Sequence, residues 1–137
     1  MGLYLCVRDE SDEIDGVDVG SYADYGRFIE KVVEHAEGKI RGSKCPVLTL
    51  HHDSDGRWTP EECSRLQIEL GSIFRVFSAL PPISIKEAWQ LQVAKTFGLK
   101  PQTLSDCFFD VDGEPLITRL VGLCQIAIER RHSILFQ

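Results

Sequence analysis

The sequence predicts an α+β fold, with about four helices packed on a small mixed or antiparallel sheet. Two patterns indicate this class. Short apolar or alternating segments, typical of strands, lie near both ends of the chain. Longer segments with apolar residues three and four positions apart, typical of helices, lie between them. The predicted order is strand, strand, helix, strand, three helices and strand, which implies helices that share one sheet.

Four segments are predicted to be strands. The apolar run Leu3–Val7 and the alternating run Ile14–Val19 flank an acidic turn, and we expect them to pair as a hairpin. The apolar run Pro46–His51 is predicted to be the third strand. A fourth strand at Ile134–Phe136 would tie the C-terminal residues into the sheet.

The first two helices carry clear start signals. Ser21 with Asp24 three residues later is a capping-box pattern, and apolar residues follow at helical spacing. Thr59 is predicted to cap the second helix, with Pro60 at the first helical position and Glu62 completing the capping box. One stripe of the second helix is expected to face the core: Cys63, Leu66, Leu70, Ile73, Phe74 and Phe77.

Two further helices are predicted in the second half of the chain. Ser84 with Glu87 is expected to open the third helix, and Trp89 is expected to be buried in the core. Pro115 is expected to start the fourth helix, and basic residues at its end suit the helix dipole.

Composition narrows the classes of function. A chain of 137 residues with 43% apolar and 26% charged residues suits one soluble domain, which we place at residues 1–137. The net charge of −6 disfavours a nucleic-acid partner. The sequence shows neither a membrane-spanning run nor a signal peptide, so we expect a cytoplasmic protein with no membrane partner. The five cysteines include no Cys-x-x-Cys pair and are expected to be buried free thiols.

The loop that begins at His51 resembles a calcium-binding loop. With His51 as loop position 1, acidic residues fall at positions 3, 5 and 12 and a glycine at position 6, as in an EF-hand. Imidazole is a poor calcium ligand, and a strand is predicted where an EF-hand has a helix. We therefore expect Asp53 and Asp55, and likewise Asp110 and Asp112, to organise turns without binding a metal.

An enzymatic alternative uses the same loop. His51, His52 and Asp53 are adjacent, and a small metal-dependent hydrolase could use the residues from His51 to Asp55. A strand turns neighbouring side chains to opposite faces, so at most one of the histidines would join an aspartate. We expect no enzyme activity, no catalytic residues and no cofactor, and we keep the hydrolase as the alternative.

Two surfaces are candidates for binding a protein partner. The first is the acidic hairpin end, which concentrates negative charge and whose candidate contacts are Asp12, Glu13 and Asp15. The second is the loop after His51, because aspartates there adjoin tryptophan and arginine, residue types that anchor interfaces. Its candidate contacts are Asp53, Asp55, Arg57 and Trp58.

Five segments together resemble the immunity protein 70 family: Met1–Leu5, Val19–Asp24, His52–Cys63, Phe109–Leu116 and Ile134–Gln137. The resemblance spans nearly the whole chain in order. It implies a cytoplasmic bacterial protein that binds and neutralises the cognate toxin domain of a polymorphic toxin system. An acidic face would suit a basic toxin. The resemblance supplies no binding residues, and the sequence does not indicate an oligomeric state.

Overall fold

The computed structural model describes residues 2–51 and 56–137. Its α+β architecture confirms the predicted class. The described strands form one antiparallel four-stranded sheet with the order β2-β1-β4-β3. They are β1 (Gly2–Asp9), β2 (Asp12–Ser21), β3 (Arg57–Trp58) and β4 (Ile134–Phe136).

The helices form layers on this sheet. In the described residues they are α1 (Tyr22–Lys31), α2 (Pro46–Thr49), α3 (Pro60–Ser78), α4 (Ala88–Phe97) and α5 (Leu116–Arg130). α1 and α5 contact β1 and β2, and α3 packs against α5. A π-helical turn (Val32–Ala36) extends α1, and a 3-10 turn (Leu104–Cys107) precedes α5.

The capping boxes predicted for the first two long helices are confirmed. At the start of α1, the Ser21 hydroxyl accepts a hydrogen bond from the Asp24 backbone N–H, and the Asp24 carboxylate accepts one from the Ser21 N–H. At the start of α3, Thr59 and Glu62 make the same reciprocal pair. These bonds satisfy N–H groups that have no partner within a helix.

The outer edge of β2 is partly occupied by the chain itself. Tyr4 on β1 exchanges both of its backbone hydrogen bonds with Gln137, so the facing residue Asp18 turns its backbone groups outward. The Asp18 carbonyl accepts the Val111 N–H at 3.3 Å. The Gly16 carbonyl accepts a hydrogen bond from the Arg119 guanidinium. These contacts cover backbone groups that would otherwise be open to another strand.

The core lies between the sheet and the helices. Phe28 packs edge to face against two other phenylalanines there: between ring centroids, it lies 6.2 Å from Phe77 and 5.2 Å from Phe108. All five cysteines lie in the described residues and are buried free thiols, as predicted. The largest side chains that are almost completely buried include Trp58, Leu3, Leu5, Leu48, Leu66, Leu70, Ile73, Leu120 and Leu123.

The strand predicted at Pro46–His51 is wrong. Residues 46–49 form α2, with Pro46 at its first turn, and strand β3 lies further on at Arg57–Trp58. Proline suits the first turn of a helix because its ring fixes φ and its missing N–H would have no helical partner. A buried carboxylate on α3, described below, binds the N–H groups of the next two residues.

The third predicted helix is shorter and more peripheral than expected. α4 begins at Ala88, and neither Ser84 nor Glu87 caps it with a side chain. Trp89 is half-buried rather than in the core; its indole N–H donates to the Asp24 carboxylate at 3.0 Å. On α3, Phe74 is 46% exposed and so does not join the buried stripe.

Candidate functional site

The acidic hairpin end is a tight, exposed turn. Asp9 pairs with Asp12 across the two strands, and Glu10 and Ser11 form the turn between them. Glu10 has φ 53°, a left-handed conformation that such two-residue turns require. The Arg8 guanidinium donates to the Ser11 carbonyl at 2.9 Å. The turn therefore presents its carboxylates to solvent on a fixed backbone.

Glu13 is exposed but has a partner on the neighbouring strand. The Tyr4 hydroxyl donates to the Glu13 carboxylate at 2.7 Å. This hydrogen bond, together with burial of the ring, raises the pKa of Tyr4 to about 12. The Tyr4 side chain lies over Gly16, where a Cβ atom would collide with the phenol ring. The absence of a side chain at Gly16 thus lets Tyr4 reach Glu13.

Asp15 differs from the other two predicted hairpin residues because it is half-buried in an ion pair. Both of its carboxylate oxygens lie 3.2 Å from Arg119 nitrogens, and Arg119 also lies 3.6 Å from the buried Asp110. The hydrogen bond that Arg119 donates to Asp15 is the largest influence on the pKa of Arg119 and raises it despite partial burial. Asp15 therefore ties β2 to α5, and its charge is neutralised within the chain.

The second Asp-x-Asp-Gly loop is organised as a turn by one carboxylate. The buried Asp110 accepts hydrogen bonds from the N–H groups of Asp112 and Glu114, each at 2.9 Å. Its own backbone carbonyl accepts the N–H of Gly113, which has φ 80°. Asp110 thus has the predicted turn-forming role, whereas Asp112 contributes only its backbone N–H among the contacts of the described residues.

In the loop after His51, the structure describes its two ends. The His51 ring stacks on Phe136 with centroids 4.7 Å apart, and its Nε2 lies 2.8 Å from the Arg57 carbonyl. Arg57 is exposed, as an interface residue requires. Trp58 is 0% exposed, and its indole N–H donates to the Val47 carbonyl at 3.2 Å. We therefore correct the prediction that Trp58 offers a contact surface: it is a core residue.

Asp53 and Asp55, the other predicted contacts of this loop, lie outside the described residues. The loop is preceded by α2 and not by the predicted strand. α2 is a single turn of four residues, far shorter than the entering helix of an EF-hand. Within residues 2–51 and 56–137, no group of three His, Cys, Asp or Glu side chains could hold a metal ion.

Two buried carboxylates were not singled out in the sequence. Glu37 is 1% exposed and accepts hydrogen bonds from the N–H groups of Gly42, Lys44 and Cys45. Burial alone would raise the pKa of Glu37, but the three N–H groups outweigh it and the pKa is lowered. Glu37 therefore acts as an ionised centre around which the loop before α2 folds.

Glu69 on α3 accepts hydrogen bonds from backbone N–H groups of α2, as Glu37 does for the loop before it. Its carboxylate accepts the N–H groups of Val47 and Leu48 at 3.2 and 3.0 Å. Burial raises the pKa of Glu69, and these two hydrogen bonds do not fully offset it. Cys45 lies between the two carboxylates. Burial, followed by the charges of Glu69 and Glu37, raises the pKa of the Cys45 thiol to about 12, so it stays protonated at neutral pH.

Among residues 2–51 and 56–137, no helix is both long enough and apolar enough to cross a membrane. Comparison with known proteins adds a family assignment. A family model described as "Immunity protein 70" matches residues 3–136 of the 137-residue chain. No curated protein and no solved structure matches it. Because the match covers almost every residue, this chain belongs to the immunity protein 70 family.

Proposed function

We propose that this protein is a cytoplasmic immunity protein that binds and neutralises the toxin domain of a cognate bacterial polymorphic toxin. The family match over residues 3–136 is the observation that carries the proposal. The mode of action is protein–protein binding without chemistry by the chain itself. Such a protein needs a stable scaffold and a surface complementary to one partner.

The acidic hairpin end supports this function. Asp9, Glu10, Asp12 and Glu13 are all exposed at one turn, and the net charge of the chain is −6. A concentration of one sign of charge attracts an oppositely charged partner and speeds its association. We place Asp12 and Glu13 at the contact with a basic toxin domain. Asp15 contributes indirectly, because it fixes β2 against α5 through its ion pair.

The loop after His51 is the second proposed contact. Arg57 is exposed at its end, and Asp53 and Asp55 keep their proposed role as acidic contacts. Trp58 is withdrawn because its indole is inside the core. Arginine is enriched among residues that dominate binding energy, so Arg57 is the strongest single candidate in this loop.

Co-expression tests the function directly. The toxin domain would come from the secreted protein encoded beside this chain, and the chain would be expressed with it in the same cells. We expect cells to survive, and a catalytically inactive toxin domain to co-purify with the chain in a fixed ratio. Death of cells that contain the folded chain, together with the absence of binding by calorimetry, would refute the proposal.

Charge reversal tests the proposed hairpin contact. The double variant Asp12→Lys and Glu13→Lys should slow association and reduce its dependence on salt, because steering by exposed charges is screened by ions. A matched control is Asp112→Lys with Glu114→Lys, which changes the net charge equally at exposed residues of the loop that follows Val111. Equal slowing in both variants would mean that net charge acts and that the hairpin is not a specific contact.

A further inference from the structure

A groove of about 580 Å³ lies between α1 and the segment that leads into α4. We call it the α1 groove. Its helix wall consists of Asp24, Arg27, Glu30 and Lys31, which share one side of α1 at spacings of three and four residues. Its other wall is residues 82–87. The lining also includes residues 107 and 108, which are buried and close the groove from below.

The wall opposite α1 contains backbone groups that have no hydrogen-bond partner in the described chain. Residues 81–87 contain neither a turn nor a bend. The N–H and C=O groups of Ile83 both contact the Cys107 sulfur, at 3.3 and 3.5 Å. By contrast, the N–H and C=O groups of Ser84, Ile85 and Lys86 make no hydrogen bond to any part of the chain that the structure describes. Backbone groups of this kind can pair with an added extended chain.

The charged groups that line the groove differ in whether they have an ion-pair partner. Arg27 is neutralised by Asp24, with which it forms an ion pair, and lies 3.5 Å from Glu87. In the described residues, two charged groups of the lining have no ion-pair partner: Glu30 on the helix wall and Lys86 on the opposite wall. An occupant complementary to the groove therefore carries a basic group on the side of Glu30 and an acidic group on the side of Lys86.

We propose that the α1 groove binds an extended segment of the partner protein, which pairs its backbone with residues 84–86. Each residue of an extended chain advances about 3.3 Å, so residues 84–86 extend over about 10 Å. Ser84 and Lys86 turn their backbone groups to the same side, away from the side on which Ile83 contacts Cys107. The backbone bonds supply affinity, and the acidic and basic side chains set direction and register. This inference rests on the proposed function, since the toxin domain is the partner that supplies the segment.

Hydrogen exchange gives the most direct test. The chain would be measured alone and with the catalytically inactive toxin domain encoded beside it. In the free protein the amides of Ser84, Ile85 and Lys86 should exchange rapidly, because they have no hydrogen-bond partner in the described chain. In the complex, at least one of these amides should exchange more slowly by a factor of about ten or more. Protection in the chain alone at high concentration would assign the groove to a second copy and overturn the proposal.

Two matched pairs of variants separate backbone pairing from other effects. Because the N–H and C=O groups of Ile83 both face Cys107, those of Ser84 face the other way in an extended chain. Ser84→Pro removes the N–H group, whereas Ser84→Ala removes the hydroxyl and keeps the N–H. We expect the proline variant to bind about tenfold more weakly than the alanine variant, which corresponds to loss of a well-formed hydrogen bond. Lys86→Glu should also weaken binding, whereas Lys95→Glu, an exposed lysine of α4 outside the groove, should not.

The outcomes distinguish this inference from the function on which it rests. If the wild-type chain does not bind the toxin domain, both fall. If it binds, but the amides of residues 84–86 exchange as in the free chain, the groove proposal alone is overturned. It is also overturned if Lys86→Glu and Lys95→Glu bind equally well. The lysine pair and the exchange measurement decide the matter even if Ser84→Pro fails to fold by circular dichroism.

Discussion

Two acidic regions of this protein use carboxylates in opposite ways. At the hairpin end, Asp12 and Glu13 are exposed and the backbone turns without their help. Around α2, Glu37 and Glu69 are buried and take the place of backbone hydrogen-bond partners. A carboxylate can therefore be an exposed surface charge or the buried acceptor that organises a loop, and the difference lies in the number of backbone N–H groups directed at it.

The two buried carboxylates also differ from each other. Glu37 receives three backbone N–H groups, which are enough to overcome its burial and lower its pKa. Glu69 receives two, and burial still raises its pKa. Folding therefore favours the ionised form of Glu37 and disfavours that of Glu69.

Removal of Glu37 should have the largest effect on stability. Glu37→Ala leaves three N–H groups in a buried place without their acceptor and should lower the free energy of unfolding by about 3 kcal/mol. Urea unfolding measures this loss. The exposed Glu30→Ala is the control and should change it by less than about 0.5 kcal/mol. Equal effects would mean that the Glu37 hydrogen bonds contribute nothing net.

The pH dependence of stability should distinguish Glu37 from Glu69. Stability from Glu37 is present above its ordinary pKa of 4.5 and is lost as the pH falls through its lowered pKa. Stability from Glu69 is complete below 4.5 and is lost as the pH rises through its raised pKa. As the pH rises above 4.5, Glu69→Gln should therefore gain stability relative to the wild type. Urea unfolding at about pH 4 and about pH 7 measures this gain.

Glu37→Gln is the comparison variant, and its urea unfolding is measured at the same pH values. Glu37→Gln should be most destabilising near neutral pH, and its deficit should shrink as the pH falls below about 4.5. If the two glutamine variants show the same pH dependence, the contrast between the two buried carboxylates is wrong.

Asp15 should show an intermediate effect. Asp15→Asn weakens the paired contact with Arg119 and should cost about 1 kcal/mol, because the ion pair is only partly buried. Thermal unfolding of this variant beside Asp12→Asn, which alters an exposed residue of the same hairpin, measures the difference. If Asp15→Asn loses no more stability than Asp12→Asn, the ion pair between Asp15 and Arg119 does not stabilise the protein.

The smallest effect is expected at Glu13. Glu13→Gln should change stability by less than about 0.5 kcal/mol, because the residue is exposed. It should nevertheless lower the pKa of Tyr4 from about 12 toward 10.0, since the hydrogen bond to the carboxylate is the main cause of the shift. Absorbance titration of the phenol, with Asp12→Asn as the control, measures this change. An unaltered Tyr4 titration would contradict the contact.

Sequence patterns predicted the parts of the fold that depend on local chemistry. The capping pairs at Ser21 and Thr59 involve residues three positions apart, so the sequence alone contains both partners. The hairpin and the strand at Ile134–Phe136 were likewise visible as apolar runs. The acidic turn was correctly placed at the surface because charged side chains are rarely buried.

The errors arose where a distant residue decides the local structure. The segment beginning at Pro46 is apolar enough for a strand, but a carboxylate from Glu69, more than twenty residues away, binds its N–H groups and favours a helix. A signal was present: Glu69 falls within the apolar stripe that includes Leu66 and Leu70, where a charge requires partners. Glu37 gave no comparable signal, because it follows a helix and precedes a glycine.

The position of β4 in the sheet has a consequence for the timing of folding. β4 lies between β1 and β3, so the middle of the sheet joins residues 5–7 to residues 134–136. During synthesis, the first strand must wait for almost the whole sequence before its inner edge finds a partner. At roughly 5–20 residues per second, that delay is several seconds or more. A chain released before its last residues are made would therefore leave one edge of β1 without a strand partner, although the other edge still pairs with β2.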